Sequence, residues 1–313
     1  MDVVLIFPGQ GSQKPGMGKD LVGAFPAAKD VFERADEALG MALSAMCFEG
    51  PADDLMLTHN AQPALLAHGA AVWAATRAEI GASVVAAAGH SLGEFTAYHA
   101  ATSLGLEDAL HVVRRRGELM YESGLARPGA MAAILGETNR PIEEICAEVT
   151  REVGLVVPAN YNFPGQIVIS GEEAAVERAM VLCKEAGAKR PMRLKVSGAF
   201  HSPLMESATT GLAQILGQSS FEDPHFAVYA NVNGAAVLKA DRATELLLEQ
   251  LTKPVRWTDE VCAMAKRYPD ALFVEMGPGR VLTTLVHKIA PEVKTAMCGT
   301  AVEVEHLLEL VAQ

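Results

Sequence analysis

Residues 83–102, "SVVAAAGHSLGEFTAYHAAT", constrain the fold more than any other stretch of this chain. A short apolar run, "SVVAAAG", stops at Gly89, and a helical pattern runs from Glu94 to Thr102. Between them lies Gly-His-Ser-Leu-Gly, with Ser91 at its centre. A strand that bends sharply into a helix leaves the central serine hydroxyl exposed at the bend, and Gly-X-Ser-X-Gly is the spacing such a nucleophile elbow needs. The alternative is a permissive loop, in which Gly89 and Gly93 merely allow a turn and Ser91 caps the helix. The strand and helix patterns on either side favour the elbow.

The same alternation recurs along the chain. "VVLIF" (residues 3–7) is a short β-branched apolar run that breaks at Pro8-Gly9, and helical patterns follow over 27–39 and 63–80. Short strands alternating with longer helices predict an α/β fold with a mainly parallel sheet. Residues from about 130 to 197 read differently. "AMAAILG" is a strand, "RPIEEICAEV" a helix, "LVVPANYN" and "GQIVISG" two strands joined at "FPG", "EEAAVERAMVLCKEAG" a helix ending at Gly187, and "RPMRLKVSG" a last strand. That order, β-α-β-β-α-β, is the one of a ferredoxin-like module. "FAVYANVN", "ALFVEMGPG" and the closing helices then resume the earlier alternation, so the module is an insertion. The expected division is a core of residues 1–127 and 198–313 with an inserted subdomain of residues 128–197.

Charge and cysteine usage narrow the function class. Lys and Arg number 26 against 38 Asp and Glu, a net charge of -12, which argues against a general nucleic-acid binder. Cys47, Cys146, Cys183, Cys262 and Cys298 are dispersed with no C-x-x-C pair, the pattern of reduced buried thiols rather than of a disulfide framework or a metal site. The opening "MDVVLIFPGQG" has no basic n-region, and its apolar run is cut at Pro8, so it does not read as a signal peptide. No apolar stretch reaches membrane-spanning length. The expectation is a cytoplasmic, monomeric protein that contacts neither membrane nor nucleic acid.

A nucleophilic serine needs a general base within hydrogen-bond reach. Of the nine histidines, His68, His99 and His111 lie in helical patterns, and His225, His287 and His306 have no special turn chemistry around them. His90 adjoins Ser91, but an elbow turns neighbouring side chains apart. His201, in "VSGAFHSPLM", sits on a rigid loop after a strand, where catalytic groups of an α/β sheet gather, and it is the leading candidate. Acyl chemistry also needs oxyanion donors. The Leu92 N–H, directly after the nucleophile, is the first, and a second should come from the "FPGQGSQ" loop, where Gly9 and Gly11 permit close approach and Gln10 projects near the site. Arg116 lies in the centre of an apolar stripe formed by Ala109, Val112, Val113, Leu119 and Met120. A buried arginine must be paired. The sequence leaves two partners open: a structural carboxylate, or the carboxylate of a substrate held by the guanidinium fork.

"FPGQGSQ", "GHSLGE", "RRRGELM", "ANYNFPGQIVISG", "GAFHSPLM", "LLEQLTKPVRW" and "VEMGPGRVL" occur in this order from residue 7 to residue 282. Together they resemble the malonyl-CoA:acyl carrier protein transacylases of bacterial fatty-acid synthesis. The resemblance implies an α/β-hydrolase-like core with an inserted ferredoxin-like subdomain. It also implies that Ser91 is the nucleophile, His201 its base, and Arg116 the holder of the malonyl carboxylate, with Gln10 and the Leu92 N–H as oxyanion hole. Gln250 matches the position whose main-chain carbonyl orients the histidine, so no third acidic residue is expected. His90 and Asn160 match pocket positions, and Phe200, in "-AFH-", implies malonyl rather than methylmalonyl selection. The substrates would be malonyl-CoA and phosphopantetheinylated acyl carrier protein, with no metal or redox cofactor.

Three other readings use the same residues. A free-standing acyltransferase of a polyketide synthase or of a malonate decarboxylase system would differ only in its carrier protein. A serine hydrolase or thioesterase is disfavoured because His201 lies mid-chain with no acidic triad member placed for it. A silent adaptor of carrier protein would not need a complete reactive set. Lys184, Lys189, Arg190, Arg193 and Lys195, clustered in "CKEAGAKRPMRLK", offer a positive patch for an acidic carrier protein, or are simply a solvated helix end and edge strand.

Overall fold

A computed structural model describes residues 1–311 of the chain. Ten strands occur among them: β1 (Val3–Phe7), β2 (Val84–Gly89), β3 (Ala130–Leu135), β4 (Val156–Phe163), β5 (Gln166–Gly171), β6 (Arg190–Arg193), β7 (Ala227–Tyr229), β8 (Ala236–Val237), β9 (Leu272–Glu275) and β10 (Lys294–Met297). They form two sheets. The larger has the order β10-β9-β1-β2-β7-β8, with every pairing parallel except β7 with β8. The smaller, β4-β5-β3-β6, is antiparallel throughout.

The continuous apolar runs of β1 and β2 follow from burial on both faces, as a parallel sheet covered by helices requires. Val3, Leu5 and Phe7 pack into one apolar cluster and Val4 and Ile6 into the other. In β2, Ala87 faces the first cluster, and Ala86 and Ala88 face the second. Helices Pro26–Leu39, Thr58–Ile80, Gly93–Ala100 and Leu106–Ala126 contribute to the first layer, and Trp257–Arg267 and Val281–Ile289 to the second. The small sheet has a core of its own: Ala130, Ala132 and Ile134 of β3 pack on the helices Ile142–Glu152 and Glu173–Glu185. The alternate residues Met131 and Ala133 turn the other way, into the main core. A bridge between Asn160 and Val255 ties β4 to the main unit.

The expected α/β architecture and mainly parallel sheet are present. Two details differ. The strand expected over "RPMRLKVSG" ends at Arg193; Leu194 keeps one backbone bond to Met131 of β3, and with Val196 it walls the cleft described below. Strands β8 and β10 gave no sequence signal: the first is two residues long, and the second is largely solvent-exposed, so neither carries an apolar run. The five cysteines are free thiols, and Cys262, unlike the other four, is exposed. No helix among the described residues is long and apolar enough to cross a membrane.

Candidate active site

Strands β1, β2 and β7 run parallel, so the turns at their C-terminal ends emerge on one edge of the sheet, where α/β folds place ligands. The turn after β2 carries Ser91. Both glycines are obligatory there. A Cβ on Gly89 would stand 1.9 Å from the Gly93 carbonyl carbon, and one on Gly93 would stand 2.1 Å from the Phe7 carbonyl oxygen. Ser91 has φ +53°, a left-handed conformation that costs an L-residue about 1–2 kcal/mol and is kept only where its surroundings enforce it. The helix Gly93–Ala100 starts immediately afterwards. The expected strand–turn–helix unit is therefore present, with the serine at its bend.

His201 also has a left-handed backbone, φ +55°, on the loop that leads from the small sheet back to the core. Its Nε2 lies 2.8 Å from Ser91 Oγ, and its Nδ1 lies 2.9 Å from the Gln250 main-chain carbonyl. A carbonyl can only accept, so Nδ1 carries the hydrogen and Nε2 of the neutral ring is left to accept from the serine hydroxyl. Burial, with the nearby Arg116 cation second, pushes the His201 pKa down to about 3. The ring is thus neutral in the resting site.

Arg116 is 1 % exposed and projects from the Leu106–Ala126 helix. Its Nη1 donates to Gln62 Oε1 at 2.7 Å, and Nη2 donates to Gln250 Oε1 at 2.9 Å and Ser91 Oγ at 3.2 Å. The guanidinium carbon also stands 5.4 Å from the Phe95 ring centroid. None of these partners is charged, and among the described residues no carboxylate forms an ion pair with Arg116. Burial lowers its pKa to about 10, so it remains a cation at neutral pH. Its neighbours Arg114 and Arg115, by contrast, pair with Glu118 on the outer face.

A cavity of about 120 Å³ opens over Ser91, His201, Arg116 and Gln62, and Gln10, His90, Leu92, Asn160 and Phe200 also line it. The structure therefore brings the expected catalytic and substrate-binding residues to one cleft, with Gln250 buried behind Ser91 and His201. Gln10 donates its side-chain amide to Thr58 Oγ1 at 3.2 Å. His90 Nε2 donates to Asn162 Oδ1 at 2.9 Å, and the ring lies 5.8 Å from that of Trp257. Asn160 and Phe200 are buried in the wall.

Four polar residues at this site were missed. Gln62 sits within a helix buried on all sides, in which a glutamine should have stood out. Asn231 follows β7 at the same sheet edge, and that position is itself a signal. Glu94 and Glu260 lie in helices whose carboxylates ordinarily face water, yet both are wholly buried. Gln250 Nε2 donates to Glu94 Oε2 at 2.6 Å and to the Ser91 carbonyl at 3.0 Å, while Asn231 Nδ2 donates to Glu260 Oε1 at 3.0 Å. Burial raises the pKa of Glu94 to about 7 and that of Glu260 well above the usual carboxylate range.

Residues 4–302 match the acyl transferase domain family. The chain is 45 % identical over 293 residues to the malonyl CoA-acyl carrier protein transacylase of Bacillus subtilis, covering 94 % of this chain and 92 % of that one. It is 40 % identical over 284 residues to the Escherichia coli K12 enzyme of the same name, covering 91 % of each. Among solved structures, an acyl-carrier-protein S-malonyltransferase from Bartonella henselae superposes with a TM-score of 0.94 at 40 % identity over the whole of both chains. A malonyl-transacylase crystallised with a type II polyketide-synthase acyl-carrier protein gives 0.92 at 39 % identity, covering 99 % of this chain and all of that one.

Proposed function

Because the chain belongs to the acyl transferase family, and within it to the malonyl-CoA:acyl carrier protein transacylases, we propose that Ser91 carries a malonyl group between malonyl-CoA and the phosphopantetheine thiol of acyl carrier protein. The observation that carries the reading is Arg116. A buried guanidinium hydrogen-bonded only to neutral acceptors, with the Glu94 carboxylate acting on it at a distance and no ion-pair partner among the described residues, is a poorly compensated charge. A carboxylate on the incoming acyl group is that partner, and of the two readings the sequence left open, the absence of an ion pair favours this one.

The chemistry proceeds in two balanced steps. His201 Nε2 removes the Ser91 proton as Oγ attacks the malonyl thioester carbonyl, forming a tetrahedral oxyanion. The Leu92 N–H and Gln10 stabilise that charge. Collapse breaks the C–S bond, and His201 hands its proton to the departing CoA thiolate. In the second step His201 takes the proton of the carrier-protein thiol, whose sulfur attacks the malonyl-serine ester and regenerates the Ser91 hydroxyl. The Gln250 carbonyl, 2.9 Å from Nδ1, orients the ring throughout and takes the place of a triad carboxylate. His90, Asn160 and Phe200 shape the acyl pocket.

The same reading describes the architecture as an α/β-hydrolase-like core, residues 1–127 and 198–313, with a ferredoxin-like subdomain, residues 128–197, between them. The β-α-β-β-α-β order and the β4-β5-β3-β6 arrangement support it. Intact-mass measurement after mixing with malonyl-CoA or acetyl-CoA tests the function. The wild type should gain malonate, Ser91→Ala should gain nothing, and Arg116→Ala should lose malonyl loading far more than acetyl loading. Covalent malonate on the Ser91→Ala protein, or equal losses in Arg116→Ala, would refute the assignment.

A further inference from the structure

Asn231 is completely buried beneath the serine turn, and its carboxamide uses every hydrogen bond available to it. Oδ1 accepts from the Ser91 N–H at 2.8 Å and from Gln250 Nε2 at 3.2 Å. Nδ2 donates to the Gly89 carbonyl at 2.7 Å and to Glu260 Oε1 at 3.0 Å. Two donors meet the oxygen and two acceptors meet the nitrogen, so only one orientation of the amide satisfies the site. Its own backbone N–H donates to Glu94 Oε2 at 3.2 Å. The two bonds to Gly89 and Ser91 span the bend, one on the strand limb and one on the turn itself.

We propose that Asn231 is a positioning residue for acyl transfer: its carboxamide bridges the two limbs of the serine turn and holds Ser91 in its left-handed conformation, with Oγ against His201. It touches neither substrate nor reacting atoms. No other side chain among the described residues bonds to both the Gly89 carbonyl and the Ser91 N–H. Gln250 reinforces the same arrangement, since its Nε2 reaches both Asn231 Oδ1 and the Ser91 carbonyl. Glu94 and Glu260 fix the clamp from below. Each leaves one carboxyl oxygen without a partner, Oε1 of Glu94 and Oε2 of Glu260, where a retained proton can reside. The inference rests on Ser91 being the nucleophile.

The test compares Asn231→Ala and Asn231→Asp in single-turnover malonylation by malonyl-CoA, with Ser91→Ala beside them. Loss of the clamp should misplace Oγ and slow acylation by about 10²-fold, the usual cost of a displacement near 1 Å. The KM for malonyl-CoA should change by no more than about twofold, because the acyl pocket is untouched. The aspartate variant keeps the acceptor towards Ser91 N–H but sets an oxygen against two acceptors, the Gly89 carbonyl and Glu260. Only its protonated form can donate there. The titratable groups around it are Glu94 and Glu260 in contact, Tyr98 near both of these, and His201 and Arg116 linked through Ser91 and Gln250. The rate of Asn231→Asp relative to wild type should therefore be highest at low pH. It should fall by roughly tenfold per pH unit above the ionisation, the slope of one proton.

A wild-type rate in a folded Asn231→Ala protein, or an Asn231→Asp protein whose ratio to wild type is flat with pH, overturns the inference. Should the alanine variant fail to fold, the aspartate profile decides alone. Malonate on Ser91→Ala would instead overturn the nucleophile assignment, so the two failures are distinguishable.

Discussion

Replacing Gln62 by Glu supplies Arg116 with the carboxylate it lacks, at the cost of almost no change in shape. Gln62 Oε1 already lies 2.7 Å from Arg116 Nη1, and its Nε2 gives up only a long contact to Met120 Sδ at 3.4 Å. Two unit charges about 4 Å apart attract by about 4 kcal/mol at the effective dielectric suited to protein sites. Some of that is spent in desolvating the new carboxylate. A malonyl carboxylate then meets a neutralised fork and loses about 3–4 kcal/mol of attraction, or about 10²–10³ in rate and affinity combined. An acetyl group has no charge to lose. Quenched-flow loading followed by intact-mass analysis should show Gln62→Glu taking malonate about 10²-fold more slowly while acetyl loading is unchanged or faster, because the neutralised fork no longer opposes the His201 cation. Thermal stability should hold or rise, since a buried charge gains a partner. If malonyl loading survives within about threefold, the Arg116 charge is not what selects the acyl group.

Four further outcomes follow. Because the folded state holds the His201 pKa near 3, below its usual 6.5, its imidazole resonance should not titrate between about pH 5 and pH 8; an ordinary midpoint refutes the buried neutral ring. The unfolded chain takes up that proton first, so this residue's linkage lowers stability as pH falls from about 6.5 towards 3, and the dependence should be shallower in His201→Gln, with the share of the other depressed histidines remaining. Gly93→Ala places a Cβ 2.1 Å from the Phe7 carbonyl oxygen, and should lower the unfolding midpoint or abolish soluble expression; a protein as stable as wild type would show that the turn can relax. Reversing the exposed Lys189 and Arg190 to Glu should raise the KM for carrier protein, most at low salt, and leave loading from malonyl-CoA unchanged. Equal effects on both half-reactions would count against docking there. Arg193, which pairs with Glu173 and Glu177 on the same helix face, contributes little to that field.

The parts of this site that sequence reveals are those where local pattern and chemistry coincide. Ser91 stands between a strand pattern and a helix pattern, His201 on a glycine- and proline-bounded loop, and Arg116 in the middle of an apolar stripe. Each breaks a local rule, which is why each was visible. Gln62, a glutamine in an apolar helix, breaks such a rule as well, whereas Glu94 and Glu260 break theirs only in three dimensions. Glu94 lies 156 positions from Gln250, and nothing local marks a carboxylate as buried under another element. Glu94 stands inside the quoted "GHSLGE" motif, yet three residues after the serine it reads as an ordinary first-turn carboxylate favoured by the helix dipole. Its burial comes from distant segments, since the Asn231 N–H and Gln250 Nε2 both donate to its Oε2.

Charge balance joins recognition to reactivity in this cleft. His201 must become a cation as it takes the Ser91 proton, and the Arg116 cation beside it opposes that change. Burial first, and this repulsion second, make the base weak. On the proposed reading the malonyl carboxylate neutralises the guanidinium, removes the repulsion, and strengthens the base only when the correct acyl group is present. An acetyl thioester would be handicapped twice, by the contact it does not make and by the repulsion it does not relieve. Gln250 makes this coupling short-ranged: its Oε1 holds Arg116, its main-chain oxygen holds His201, and its Nε2 holds the Ser91 carbonyl. Discrimination then appears in the rate of acylation as well as in binding, because the differential interaction grows as charge develops on the imidazole.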